Sequence, residues 1–283
     1  MLASAACFMA NVLLIRALGE VQAVTVWLVS CTRFVVGLAL VATVYRRDFR
    51  PLNLIRHSRL AARGIVGGFT VCGYYLTIVH LGAGRASFIN NTYVVFGALM
   101  AVAMLGERFR PSLASGGLAA LAGLALLTNA FGTGSHASLF DLLGFLVALG
   151  SAYVVVMIRQ LHATEHSSTI FAAQCAYGLL ICAVPAFLHP GAIAMDLASG
   201  LMLLAALCSA AGQLAMTLAF RDLPVAEGTL LQMLVPLGIA GGGLLFFGEH
   251  FSPHEQAGAA LILIGTALPA IRRTSPDEVR ALS

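Results

Sequence analysis

Charge is scarce in this sequence. Charged residues make up 10% of its 283 residues, whereas a soluble domain carries about 25%, and lysine is absent altogether. Hydrophobic residues account for 59%, and the mean hydropathy is +0.92. Because so few polar side chains cannot cover a water-exposed globule, the composition excludes an ordinary soluble domain.

Motifs of catalysis and metal binding are missing as well. The chain has no HExxH or GxSxG motif and no acid pair within an apolar run, which disfavours an intramembrane enzyme. His162 and His166 have helical spacing but lack further ligands for a four-ligand site. No CxxC pair occurs, so the six cysteines are interpreted as buried free thiols. We therefore predict no catalytic residue, no metal and no cofactor.

Long apolar runs make up most of the sequence. A helix needs about 20 residues to cross a bilayer, and inside lipid its backbone groups must bond within the segment. Such runs predict an all-α integral membrane protein with ten transmembrane helices. The predicted spans are 2–18, 21–44, 61–80, 84–105, 113–131, 140–159, 168–188, 198–219, 225–247 and 255–271.

One stretch of the sequence occurs twice. LGERFRPSLASGGLAALAG, residues 105–123, recurs as FGEHFSPHEQAGAALILIG, residues 247–265, at an offset of 142. The offset predicts two five-helix repeats, residues 1–133 and 138–273, followed by a polar cytoplasmic tail, residues 274–283. Because five is odd, two tandem copies must insert in opposite orientations, as in many secondary transporters.

The arginines agree with this inversion. If the first span starts in the cytoplasm, 13 of the 16 arginines fall on the cytoplasmic side: Arg46, Arg47, Arg50, Arg56, Arg59, Arg63, Arg108, Arg110, Arg159, Arg221, Arg272, Arg273 and Arg280. The positive-inside rule therefore predicts that both termini are cytoplasmic. The first copy keeps Arg108 and Arg110, whereas its outward-facing counterpart has His250 and Ser252 instead.

The glycines survive the inversion. Gly116 and Gly123 are seven residues apart and share one helix face, and Gly258 and Gly265 repeat that face. Small residues allow helices to approach closely in lipid, so we interpret this face as scaffold rather than as a substrate path.

With ten spans in two halves, each carrying a G-E motif before a small-residue-rich helix, the chain resembles the EamA-type members of the drug/metabolite transporter superfamily. ANVLLIRAL in span one and TRF in span two also fit its first half. The resemblance implies a central cavity lined by spans one, three, four, six, eight and nine. Family members export amino acids and other metabolites, and YddG-type carriers move aromatic amino acids.

Polar uncharged residues on these spans are the candidate substrate-binding residues. The offset of 142 pairs Asn11 with Tyr153, Asn90 with Gln232, and Tyr75 with Thr217. A buried polar group in lipid needs a partner, which is either another helix or a hydrated cavity. The candidate residues are Asn11, Tyr74, Tyr75, Asn90, Asn91, Tyr93, Tyr153, Gln213, Thr217 and Gln232.

Ionisable residues are almost absent from mid-span positions. Arg33 is the cation well inside a span, and it either faces a substrate carboxylate or bonds backbone carbonyls and reaches toward the cytoplasm. The resemblance does not place span two on the cavity, which favours the structural alternative. No carboxylate lies at mid-depth, which disfavours a proton relay built on a buried carboxylate and favours facilitated diffusion, exchange or coupling through a less obvious group.

These observations predict a transporter in the bacterial inner membrane that works by alternating access at a midplane cavity. The predicted substrates are neutral or aromatic amino acids; another metabolite class, such as a nucleobase, vitamin or drug-like compound, is the alternative. A channel is disfavoured because no charged ring or selectivity loop is visible. The predicted partners are a small-molecule substrate and the lipid bilayer, with no nucleic acid, and the oligomeric state stays open.

Overall fold

The computed structural model describes residues 1–108, 110–130, 138–188 and 197–272. These ranges contain thirteen helices and no strand. The helices are α1 (Leu2–Val21), α2 (Val26–Val44), α3 (Pro51–Arg56), α4 (Ser58–Leu81), α5 (Ala83–Asn91), α6 (Tyr93–Leu105), α7 (Pro111–Leu127), α8 (Leu139–Leu161), α9 (Ser167–Leu188), α10 (Leu197–Asp222), α11 (Val225–Gln232), α12 (Leu234–Phe247) and α13 (Pro253–Arg272).

Eight helical stretches in these ranges are long and apolar enough to cross a membrane, if α5–α6 and α11–α12 each count as one. The others are α1, α2, α4, α8, α9 and α10, and α7 is a shorter apolar helix. The predicted all-α membrane architecture is confirmed, and the count of ten crossings stays a prediction. The junction between the predicted repeats and the tail 274–283 lie outside the described residues.

Two of the long stretches are interrupted, each for a local reason. α5 ends at Asn91, where the Thr92 hydroxyl donates to the carbonyl of Ile89 (2.6 Å) and the Asn91 amide donates to the carbonyl of Ser87 (2.8 Å). Such side-chain bonds compete with the helix backbone. α11 ends at Gln232 because Pro236, four residues on, has no N–H to bond the Gln232 carbonyl.

Each G-E motif ends a helix in the same way. Gly106 and Gly248 follow α6 and α12 with φ of 67° and 66°, a left-handed conformation that glycine adopts without steric cost. The Glu107 and Glu249 N–H groups then bond back to the carbonyls of Ala101 (3.3 Å) and Gly243 (3.2 Å). The glycine therefore ends the helix and turns the chain, and the turn fixes the position of the glutamate that follows.

The repeated glycines bring α7 and α13 together. A Cβ added at Gly123 would lie 2.6 Å from the carbonyl oxygen of Gly258, and one added at Gly265 would lie 2.6 Å from the carbonyl oxygen of Gly116. Real Cβ atoms do not approach so closely, so only glycine allows this backbone contact. The glycine face is therefore scaffold, packed between the two repeats.

α4 begins at Ser58, earlier than the predicted span 61–80. Arg63, which was counted among the arginines of the cytoplasmic side, lies within this helix. Hydropathy does not reveal this first turn of α4, because the turn contains the charged residue Arg59. Arg59 is exposed, whereas Arg63, one turn further, faces the interior and is fully buried.

Replacing Gly123 with alanine is expected to lower the free energy of unfolding by about 1–3 kcal/mol, because the added methyl forces α7 away from α13. Thermal unfolding of the purified protein in detergent measures the effect. Gly200→Ala is the matched control, since nothing lies within 4 Å of a Cβ at that helical position. Equal melting temperatures for the two variants would contradict the close contact.

Candidate functional site: a cavity between the repeats

A cavity of about 890 Å³ lies between the helices, within the size range of small-molecule sites. All six predicted spans contribute to its wall, as α1, α4, α5–α6, α8, α10 and α11–α12. The wall carries most of the predicted binding residues: Asn11, Tyr74, Tyr75, Asn90, Asn91, Tyr93, Gln213 and Gln232. The structure thus brings eight of the ten candidates together around one space.

The other two candidates lie elsewhere. Tyr153 packs against the core cluster around α8 instead of lining the cavity. Thr217 is fully buried in α10 and donates its hydroxyl to the carbonyl of Gln213 (2.8 Å). The offset of 142 finds equivalent positions along the chain, but it does not determine which side of a helix meets the cavity.

His162 contacts the backbone of Thr217. Its ring Nε2 lies 2.8 Å from the Thr217 carbonyl oxygen, at the end of α8. Partial burial lowers the pKa of His162 from its ordinary value of 6.5, because desolvation disfavours the charged ring. The neutral ring donates a hydrogen bond to Thr217, which therefore belongs to the packing of α8 on α10.

Several wall residues already bond to neighbouring helices. The Asn11 amide donates to the carbonyl of Ala205 (2.8 Å), and the Gln232 amide donates to the Ser4 hydroxyl (3.0 Å). These two side chains tie α1 to α10 and α11. Tyr75, by contrast, has no hydrogen bond from its hydroxyl to any residue that the structure describes, so that hydroxyl is free to meet a substrate.

Arg33 also lines the cavity, although span two was not expected there. Its Nη2 donates to the Oε1 of Gln213 at 3.3 Å. The resemblance assigned the wall to six spans, whereas α2 and α9 also reach it, through Arg33 and Gln174. The signal available in the sequence was a cation inside an apolar span, which by itself marks a candidate functional residue.

The two ends of the molecule are defined by the two G-E turns. Ser4 donates to the carbonyl of Gly212 and Asn11 to that of Ala205, so α1 and α10 run antiparallel. The start of α1 therefore lies at the Glu107 end, where α10 finishes and α11 begins. The Glu249 end is the opposite one.

The Glu107 end is closed by contacts between the repeats. The Glu107 carboxylate accepts the Val225 N–H at 3.1 Å, at the first residue of α11, where the helix dipole favours an anion. It also pairs with Arg159 (2.8 Å). A second pair joins Arg110 to Glu227 (3.0 Å). Each contact links the first repeat to the second, so two ion pairs and a hydrogen bond hold this end closed.

The Glu249 end is open. Its turn contributes Glu249, His250 and Phe251 to the cavity wall, and Ala83 at the start of α5 lines it too. None of the described residues 105–110 does so. Glu249 pairs with Arg16 (2.5 Å), but both side chains remain more than a third exposed. The cavity is therefore reached from the Glu249 end.

One contact between repeat-related positions is present at the Glu107 end and, among the described residues, absent at the Glu249 end. Glu107 and Glu249 are 142 residues apart, and so are Ala83 and Val225. Glu107 holds the Val225 N–H, but among the described residues Glu249 makes no equivalent bond to the Ala83 N–H. Repeat symmetry is thus broken at the mouth of the cavity.

A cavity that lies between two repeats and opens at one end is the arrangement that secondary transporters use. The chain belongs to the EamA-like transporter family, whose profile matches residues 1–129 and 138–270. The predicted family is confirmed. The protein is therefore a multi-pass membrane transporter of small molecules and not an enzyme.

Individual relatives agree with this assignment. The chain is 28% identical over 246 residues to the pseudopaline exporter CntI of Pseudomonas aeruginosa strain PAO1, covering 86% of this chain and 84% of that protein. CntI of strain UCBPP-PA14 gives the same figures. A solved crystal structure shares the fold with a TM-score of 0.77 at 19% identity, covering 97% of each chain.

The cavity predicts a pattern of thiol labelling. Ser151 lines the cavity, whereas Ser209 is fully buried outside it. In a background without the native cysteines, Ser151→Cys is expected to react with a charged, water-soluble thiol reagent, because the thiolate needs contact with water. Ser209→Cys should stay unmodified in the folded protein. Mass spectrometry measures both, and equal labelling would contradict the cavity.

Proposed function

We propose that the protein exports small amino-acid-like metabolites across a bacterial inner membrane by alternating access. Its ten proposed crossings form two inverted repeats, residues 1–133 and 138–273. The observation that carries the proposal is the cavity between the repeats, sealed by ion pairs at one end and open at the other. Kinship with the pseudopaline exporter supports export as the direction.

The arginine distribution supports an orientation. The exposed arginines between α2 and α4, such as Arg46 and Arg47, lie at the Glu107 end, together with Arg110 and Arg221. The positive-inside rule then places the Glu107 end and both termini in the cytoplasm. In this orientation the structure is outward-facing, with its cavity open to the side where an exporter releases substrate.

The wall supports a substrate with a carboxylate and an apolar body. Arg33 presents a guanidinium, which binds carboxylates with charge-assisted hydrogen bonds, and Gln213 holds it in place. Tyr74 and Tyr75 present aromatic surface with hydroxyl groups, which suits an apolar side chain. An amino acid combines these groups. A nucleobase or vitamin is the alternative, and it would not need Arg33.

The asymmetry of the two turns supports a switching mechanism. In the outward-facing state Glu107 is docked on the start of α11 and Glu249 is not docked on the start of α5. In the inward-facing state the roles exchange, so that Glu249 caps the Ala83 N–H and Glu107 is released. The two repeats thus exchange conformations, and this mechanism needs no carboxylate at mid-depth.

Arg33→Gln is expected to raise the KM for uptake of labelled L-phenylalanine into proteoliposomes by about tenfold, because the substrate carboxylate loses its charged partner. Arg47→Gln, a matched change at an exposed arginine, should leave the KM unchanged. Uptake is measured with and without a pH gradient, and we expect no dependence on it. Saturable uptake with the same KM in Arg33→Gln would refute Arg33 as the partner of the substrate carboxylate.

Glu249→Gln is expected to slow substrate exchange at least about tenfold while substrate binding from the Glu249 end persists, since the outer end loses the carboxylate that closes it. Asp222→Asn is the control, because Asp222 is exposed and pairs only with the adjacent Arg221. Exchange rates in proteoliposomes and binding in detergent separate the two effects. A normal exchange rate in Glu249→Gln would refute the proposed switch.

A further inference from the structure

Arg63 is a buried cation that forms no ion pair with any residue in the described ranges. Its side chain is fully buried in α4, and Nε, Nη1 and Nη2 make no hydrogen bond to any residue that the structure describes. An uncompensated charge at this depth costs several kcal/mol in general, so such groups are retained where they serve a function.

The side chain of Arg63 points toward the cavity. Long side chains in helices usually turn back toward the N-terminus. Arg63 does the reverse, because its Nη1 lies 3.3 Å from the position of a Cβ at Gly67, one turn closer to the cavity. The missing side chain at Gly67 leaves the space that the guanidinium occupies.

Gln174 separates Arg63 from the cavity. Its Cγ lies 3.3 Å from the same Cβ position at Gly67, so the amide and the guanidinium occupy one site. Gln174 lines the cavity, and its Oε1 is buried without a hydrogen-bond partner in the described ranges. The Gln174 side chain is flexible, and its rotation is the movement that would expose Arg63 to a ligand in the cavity.

The charges around this site have one sign. Arg33 lines the same cavity, and the guanidinium of Arg63 lies beside Gln174, which also lines it. The carboxylates on the described wall, Glu249 and Glu255, come from the turn and helix start at the open end. Among the described residues, the deep part of the cavity wall therefore carries one cation, Arg33, and no anion, and the guanidinium of Arg63 lies behind Gln174.

We propose that Arg63 and Gln174 form a second anion subsite, which binds an additional carboxylate of the substrate while Arg33 binds the first. The inference rests on the proposed function and narrows it to amino-acid-like metabolites with two carboxylates. A guanidinium with all three nitrogens free can hold a carboxylate through two parallel hydrogen bonds. The Gln174 amide adds a further donor.

L-glutamate and L-glutamine test the subsite, because they have the same shape and differ by a carboxylate in place of a carboxamide. Isothermal titration of the purified full chain in detergent is expected to show about tenfold tighter binding of glutamate. Arg63→Met should abolish this preference without weakening glutamine binding. Arg46→Met, the same change at an exposed arginine, should preserve it.

Thermal unfolding of the ligand-free protein provides a second readout. Arg63→Met is expected to keep or raise the melting temperature, because it removes an unpaired buried charge. Three results would overturn the assignment: wild-type protein without a glutamate preference, a preference that survives in Arg63→Met, or a variant that unfolds. If the wild type prefers glutamate, Arg63→Met loses that preference and no phenylalanine is taken up, the subsite stands and the proposed transport fails for amino acids with one carboxylate.

Discussion

The bond between the Glu107 carboxylate and the first N–H of α11 is the contact on which the shape of the cavity depends. It brings a glutamate of the first repeat onto a helix start of the second, and Arg159 neutralises the remaining charge. With both groups largely buried, this contact holds the Glu107 end closed. The repeat-related partners Glu249 and Ala83 stay apart, so the space between them becomes the mouth of the cavity.

The bilayer explains the rest of the architecture. Backbone groups in lipid must be bonded, so interrupted helices are tolerated only where they face protein or a cavity. The breaks after Asn91 and Gln232 follow this rule, since both residues line the cavity. Away from the cavity, the repeats are joined by glycine contacts between α7 and α13 that need no polar group. Scaffold and transport path are thus built from different residue types.

Much of this could be predicted from the sequence, because the repeated G-E turns and glycines are local features with a fixed spacing. The conformational state could not, since it depends on which of two equivalent glutamates is docked, and the sequence contains both. The burial of Arg63 could not be predicted, because hydropathy does not show which face of α4 turns inward. Tyr153 and Thr217 were predicted by symmetry alone, and the structure places both off the cavity wall.

We propose that the two ends open in alternation under the control of these glutamates. Spin labels at Val79 and Leu245, exposed residues on α4 and α12 near the Glu249 end, report the opening of that end. Pulsed electron resonance measures the distance between the two labels. Releasing the Glu107 end with Glu107→Gln should shift the distance distribution between the labels to shorter values, as Glu249 docks on the start of α5. A distribution identical to that of the wild-type protein would contradict alternation.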